Sequence, residues 1–323
     1  MDPLQAKRLL WESLRKNEEP PKEIIAWLLR KNEDLDERTK IELVCLCAKA
    51  ILPFDRDVFW KLARLLYPSY WYVWLVSDAA KTVGLFGGNW RNFYNAGIQG
   101  IRELPMGMRS LGYTTMAMSI SDISKAYSYG LAKNSVKTLP FAYSSVFGGS
   151  AIRSAEVFVK IGFEVEKNIM TLTNIVNAAT LLTPSSKVYV LSTIASKIAH
   201  ISDELLMRIL ARCFNMFKYL TPEATMEAEA IMAAKLVEIY GGDIEELIRL
   251  AKRIGNRARN AIKHAIIRIL QDTEGKAFYE LDLGSLEDGS ILSDIRETIE
   301  RKKRLREKLM EKLSGVLIRE KSI

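Results

Sequence analysis

The stretch TPSSKVYVLSTIASKIAHISDELLMRILARCFNMFKYLTP, residues 183–222, decides the fold. Thr183-Pro184 and Thr221-Pro222 each place a capping residue before a proline, the arrangement that opens a helix. Val188, Leu191, Ala195 and Ile198 recur at helical spacing after the first start. Ser202-Asp203-Glu204 opens a second helix, with Leu205, Ile209 and Phe214 or Met216 available to a core. The two Thr-Pro starts stand 38 residues apart. Two antiparallel helices per ~40 residues is the period of HEAT and armadillo stacks. The spacing therefore predicts an all-α, solenoid-like (HEAT/armadillo-like) stack of antiparallel helices, irregular in the middle. An irregular bundle shows the same caps, and two repeats fall short of the three that an array normally needs.

The same signals continue outward. Gly241-Gly242-Asp243 ends the helix begun at Thr221 and starts another. Towards the N-terminus, Asp2-Pro3, Pro20-Pro21, Asp36, Asp55 and Ser69 mark five helix starts. Ten of the eighteen glycines lie between Gly84 and Gly149. Glycine weakens helices, so this section predicts shorter helices, ordered loops and a boundary within 83–115. Asp288-Gly289 precedes a charged amphipathic helix over about 290–314. Four regions follow: 1–82, N-terminal helices; 83–149, glycine- and aromatic-rich; 150–285, helical repeats; 286–323, charged helix and tail.

The composition, 48% hydrophobic and 27% charged, is that of a globular protein. Residues 1–20 carry charge throughout and have no secretory pattern. The longest uncharged stretch, Ile169–Ser186, is broken by Thr, Asn and Pro184 and reads as buried helix rather than a membrane span. With three cysteines, an odd number, no disulfide framework is expected, and the expected setting is cytoplasmic. Three glutamines against abundant Lys, Glu and Arg is a thermophile tendency.

Motifs for chemistry are missing. No G-x-S-x-G elbow occurs, Gly148-Gly149-Ser150 lacks a Walker lysine, and Gly84–Gly88 lacks the strand of a dinucleotide fingerprint. His200 and His264 are the two histidines, and neither sits in a ligand motif with Cys45, Cys47 or Cys213. The reading is non-enzymatic, with no metal and no cofactor.

Charge is the anomaly that remains. The chain carries a formal +8. Arg249, Lys252, Arg253, Arg257, Arg259, Lys263 and Arg268 fall in 249–271 with no acid among them. Arg249, Lys252 and Arg253 share one helical face. After Gly255-Asn256, Ala258, Ile262, Ala265, Ile266 and Ile269 form an apolar stripe, with Arg257, Lys263, His264 and Arg268 opposite. Guanidinium forks match phosphate oxygens. The bland alternative is a solvated face neutralised by acids such as Glu245 or Glu229.

A second candidate is Trp90, Arg91, Phe93 and Tyr94, aromatics interleaved with a cation, which suit stacking on unpaired bases. They suit anchoring a loop to the core equally well. Around it, residues 84–200 hold eleven Lys or Arg against five acids. Tyr67, Tyr70, Trp71, Tyr72 and Trp74 exceed what one helical face buries. Arg301, Lys302, Lys303 and Arg304 form a last basic run.

The function these features predict is a non-catalytic helical scaffold that binds RNA or a ribonucleoprotein, with no membrane association. The alternatives are a protein–protein adaptor in a larger assembly and an enzyme of unrecognised type.

Overall fold

The computed structural model describes residues 1–162, 172–177, 182–200, 202–254 and 258–272. Among them all regular structure is helical. Two compact units divide near residue 183.

In the first unit, as far as Ile161, the α-helices run in order: α1 (Pro3–Lys16), α2 (Lys22–Lys31), α3 (Glu37–Ile51), α4 (Arg56–Arg64), α5 (Tyr70–Leu85), α6 (Arg91–Glu103), α7 (Met106–Ile120), α8 (Lys125–Thr138) and α9 (Ser144–Ile161). The caps expected from sequence form. Asp2 accepts from the amides of Leu4 and Gln5, Asp36 from Thr39, Asp55 from Asp57 and Val58, and Ser69 from Tyr72. Each satisfies amides that the first turn of a helix leaves without a partner.

Packing alternates along the chain. α1 packs on α3, α5 on α7 and α7 on α9, while α4, α6 and α8 each pack on the odd-numbered helix before them. The odd helices thus form one layer and the even helices a flank. The second unit repeats the alternation. It comprises α10 (Pro184–Ile198), α11 (Asp203–Met216), α12 (Pro222–Tyr240), α13 (Ile244–Ile254) and α14 (Arg259–Asp272). There α10 packs on α12 and α12 on α14, with α11 against α10 and α13 against α14. Thr221 caps α12, and Gly241 closes it in the left-handed conformation at φ 59°, whereas Thr183, expected to cap α10, makes no cap bond because its hydroxyl donates to Ser186 Oγ (3.0 Å). The stripe Ala258, Ile262, Ala265, Ile266 and Ile269 is buried as its spacing predicts.

The glycine-rich section differs from expectation. α6 to α9 span 13, 15, 14 and 18 residues, within the range of the other helices. α5 packs on both α6 and α7, so packing is continuous through 83–115. The reason is close approach. A Cβ at Gly100 would stand 2.8 Å from two Tyr72 ring carbons, so glycine lets α6 lie against α5. Small residues likewise bring α7, α8 and α9 together. Ser135 Oγ donates to the Ser110 carbonyl (2.9 Å) and Ser154 Oγ donates to Ser135 Oγ (3.1 Å), all buried. Tertiary contact here outweighs glycine's penalty of about 1 kcal/mol per helical position.

Candidate nucleic-acid interface

The basic run of the second unit is partly neutralised. Arg249 is exposed, yet it pairs with Glu245 (3.4 Å) and Glu246. On this residue the bland reading is what forms. Lys252, Arg253, His264 and Arg268 are exposed, and Arg259 and Lys263 are half-buried. Asn260 donates instead to the buried Glu229 (3.0 Å). A groove of about 620 Å3 between α11 and α13 has Arg253 on its wall beside Met207, Ala211 and Phe214. Glu204 and Arg208, paired at 2.6 Å, line the same groove. Acids therefore accompany these cations on both helices. Arg257 and the run Arg301, Lys302, Lys303, Arg304 lie outside the described residues.

The first unit builds a different surface. Residues 91–97, expected in a loop, are the first half of α6. Asn89 Oδ1 accepts the Arg91 amide (3.2 Å) and organises its start. Phe93 points inward. It is 2% exposed, stacks on Trp60 (4.9 Å) and meets Phe59 edge-on (5.5 Å), so it anchors the core and offers nothing to a base. Trp90 and Tyr94 are half-buried and meet Tyr127 of α8 at 5.4 and 5.0 Å, each edge to face. Trp90 and Tyr94 also touch each other at 5.8 Å. This ring cluster joins the first turns of α6 and α8. Burial, and then Tyr127 and Tyr113, push the Tyr94 phenol above its usual range. Tyr127 itself remains 41% exposed.

Around the cluster the outer faces of the two helices are polar and cationic. On α6, Arg91, Asn95, Gln99 and Arg102 recur at four- and three-residue spacing, with Asn92 alongside, and all are exposed. On α8, Tyr127, Gly130, Asn134 and Lys137 do the same, with Lys133 alongside. The side chains of Arg91, Arg102, Lys125, Lys133 and Lys137 make no hydrogen bond or ion pair among the described residues. Neither helix has an acid in its first turn. Of the two acids in 91–138, Asp122 is held by Lys160 (2.7 Å), leaving only Glu103, at the far end of α6. Arg109, another cation of the section, is structural. It donates to the carbonyls of Leu104 (3.0 Å) and Arg102 (2.7 Å) and closes the C-terminus of α6.

Sequence reasoning found Trp90, Arg91 and Tyr94 but missed Tyr127, which lies 33 residues beyond Tyr94. The available signal was Tyr127's helical spacing with Lys133, Asn134 and Lys137 on a helix that has no acid.

The aromatic cluster at 67–74 divides. Tyr72 is buried, Tyr67 and Trp71 are each 41% exposed, and Lys49 sits 4.3 Å above the Trp74 ring while pairing with Asp78 (2.9 Å). Cys45, Cys47 and Cys213 are buried free thiols, and burial pushes the first two up to about 12, which leaves them inert as nucleophiles. Among the described residues no group of three or more His, Cys, Asp or Glu is placed to hold a metal ion, and no helix is long and apolar enough to cross a membrane. Comparison with protein families, curated proteins and solved structures gives no match.

Proposed function

We propose that this chain is a non-catalytic α-helical scaffold that binds RNA or a ribonucleoprotein, with its principal contact on the outer faces of α6 and α8. The observation that carries the reading is the set of exposed, unpaired cations on those faces, Arg91, Arg102, Lys125, Lys133 and Lys137, beside half-exposed rings. Cations held in ion pairs gain little from a phosphate, because an existing partner must be given up. Unpaired ones release counterions from the nucleic acid at no such cost. The alternate-helix layering in each unit supports an αα-repeat stack as the scaffold, a form that offers long surfaces to extended ligands. Exposed Arg253 on α13 and Arg268 on α14 extend the reading to the second unit, Arg253 more weakly because acids share α11 and α13.

The test is fluorescence polarisation of a labelled RNA with the full chain at several salt concentrations. Binding that weakens steeply with salt, and that Lys133→Glu with Lys137→Glu reduces about tenfold or more, is the expected result. No affinity at low salt, or affinity that the double substitution leaves intact, refutes the reading.

A second reading, a protein–protein adaptor, is favoured by one observation. Leu85 and Phe86 are 56% and 88% exposed at the end of α5. An adaptor working through this tip holds its partner against salt and nuclease, and loses it on Phe86→Asp.

A further inference from the structure

We infer that the α6–α8 face takes its nucleic acid as a single strand, with a base stacked on Tyr127 and the backbone running along α8 past Lys133 and Lys137. This rests on the nucleic-acid reading above and specifies the form of the ligand.

Three features of the face argue for an unpaired strand. The first is the exposed ring. Tyr127 meets Trp90 and Tyr94 at near-perpendicular angles, which fixes its orientation, and yet the residue is 41% exposed. A held, half-open ring is a platform for a base, and every base has a π-face. In a duplex those faces are already stacked on one another, so the ring offers a duplex nothing. The second feature is the amides. Asn95 and Gln99 on α6 and Asn134 on α8 are exposed, and their side chains make no hydrogen bond among the described residues. Amides pair with base edges, which a single strand presents and which the deep, narrow major groove of A-form RNA withholds from side chains. The third is scale. Tyr127 to Lys137 spans ten residues of helix, about 15 Å, and Lys133 and Lys137 lie about 6 Å apart along the axis. That length suits a few nucleotides in a row, within the ~4–16 of known single-strand modules. Gly130 leaves the middle of this path bare, since a Cβ there would meet nothing within 4 Å.

The experiment compares labelled rA12, dA12 and a 12-base-pair RNA duplex against the full chain and three variants, Tyr127→Ala, Tyr127→Phe, and Lys133→Gln with Lys137→Gln. Both single strands are expected to bind more tightly than the duplex, and the tighter of the two identifies the natural source. Tyr127→Ala is expected to weaken single-strand binding about 5- to 30-fold, the lower part of the stacking range, with an unchanged salt slope. Tyr127→Phe keeps the ring and is expected to keep the affinity, which separates stacking from collapse of the cluster. The lysine variant is expected to lower the slope of log K against log salt by about 1.4, or about 0.7 per phosphate contact. Duplex bound as tightly as single strand, or affinity unmoved by Tyr127→Ala, overturns this inference. The broader reading then stands if the lysine variant still lowers the slope, and both fall if it does not.

Discussion

Gly100 lies inside α6 and Gly130 inside α8, and replacing each by alanine isolates what close packing contributes. Both substitutions gain the same intrinsic term, about 0.4–1 kcal/mol from the loss of glycine's freedom in the unfolded chain. They differ in what the new methyl meets. At Gly130 it meets nothing within 4 Å. At Gly100 it meets two Tyr72 ring carbons at 2.8 Å and Val73 Cγ2 at 3.3 Å. Tyr72 is 7% exposed and held edge-on by Tyr67 at 5.1 Å, so its ring has no room to turn away. Forcing a methyl into such a contact costs about 1–3 kcal/mol.

Gly130→Ala is therefore expected to stabilise the first unit by up to about 1 kcal/mol, and Gly100→Ala to destabilise it by about 1–2 kcal/mol. The two differ by the clash of about 1–3 kcal/mol, so at about 2–4 °C per kcal/mol for a unit of this size the melting temperatures separate by roughly 2–12 °C. Tryptophan fluorescence is the right probe. All six tryptophans, Trp11, Trp27, Trp60, Trp71, Trp74 and Trp90, belong to the first unit, so the second is silent. Urea titration with an unchanged m-value confirms that the folded state alone has moved. A Gly100→Ala as stable as Gly130→Ala would refute the claim that α6 needs glycine for its approach to α5, and a Gly130→Ala less stable than the parent would refute the open surroundings at position 130.

Other consequences follow from the same structure. Arg109→Ala removes both bonds that close α6 and is expected to cost about 1–3 kcal/mol, with faster amide exchange confined to the last turn of that helix. Asn260→Leu takes the hydrogen-bond donor from the buried Glu229 and should lower the stability of the second unit by about 1–3 kcal/mol, read by hydrogen exchange in α12 and α14. Cys45 and Cys47 titrate near 9 unfolded but at about 12 folded, so above pH 9 the unfolded chain holds fewer protons and stability falls with rising pH. Each thiol contributes on the order of 1 kcal/mol per pH unit in that window, and Cys45→Ala with Cys47→Ala should flatten the slope of urea midpoint against pH between 9 and 10.

How far the sequence reveals this molecule depends on the range over which each determinant acts. Caps act within three residues, so Asp2, Asp36, Asp55, Ser69 and Thr221 were all legible, and so was the apolar stripe of α14. The glycines of 84–149 point in sequence to loops and short helices, yet Gly97 and Gly100 sit inside α6, because their partners, Met116 and Tyr72, lie on other helices and no local rule names them. Phe93 and Trp90 look alike in sequence, three residues apart, but that spacing and the position of Trp60 put one ring inside and leave the other half out. The basic run at 249–268 shows the converse. Its charge is plain in sequence, and so is Glu245 as a partner of Arg249, whereas the second partner Glu246, and the groove that Arg253 shares with the Glu204–Arg208 pair, emerge only once the helices are built.

Gly130 ties stability to the proposed ligand. A glycine inside a helix costs about 1 kcal/mol relative to alanine, and at Gly97 and Gly100 close packing offsets that cost. At Gly130 no packing does, since its surroundings are open. Gly149 in α9 is equally open and serves as the control, because it lies outside the face formed by α6 and α8. If a strand passes between Tyr127 and Lys133, a methyl at position 130 stands in its way, since glycine permits the closest approach of a ligand to backbone. Alanine at 130 and alanine at 149 should then each raise the melting temperature by a similar amount. Only the first should weaken single-strand binding, by at least the roughly 1 kcal/mol that a clash costs, about fivefold in affinity. Equal binding by the two variants would show that the strand does not cross α8 at that point, and would confine the contact to the ring cluster and the α6 amides.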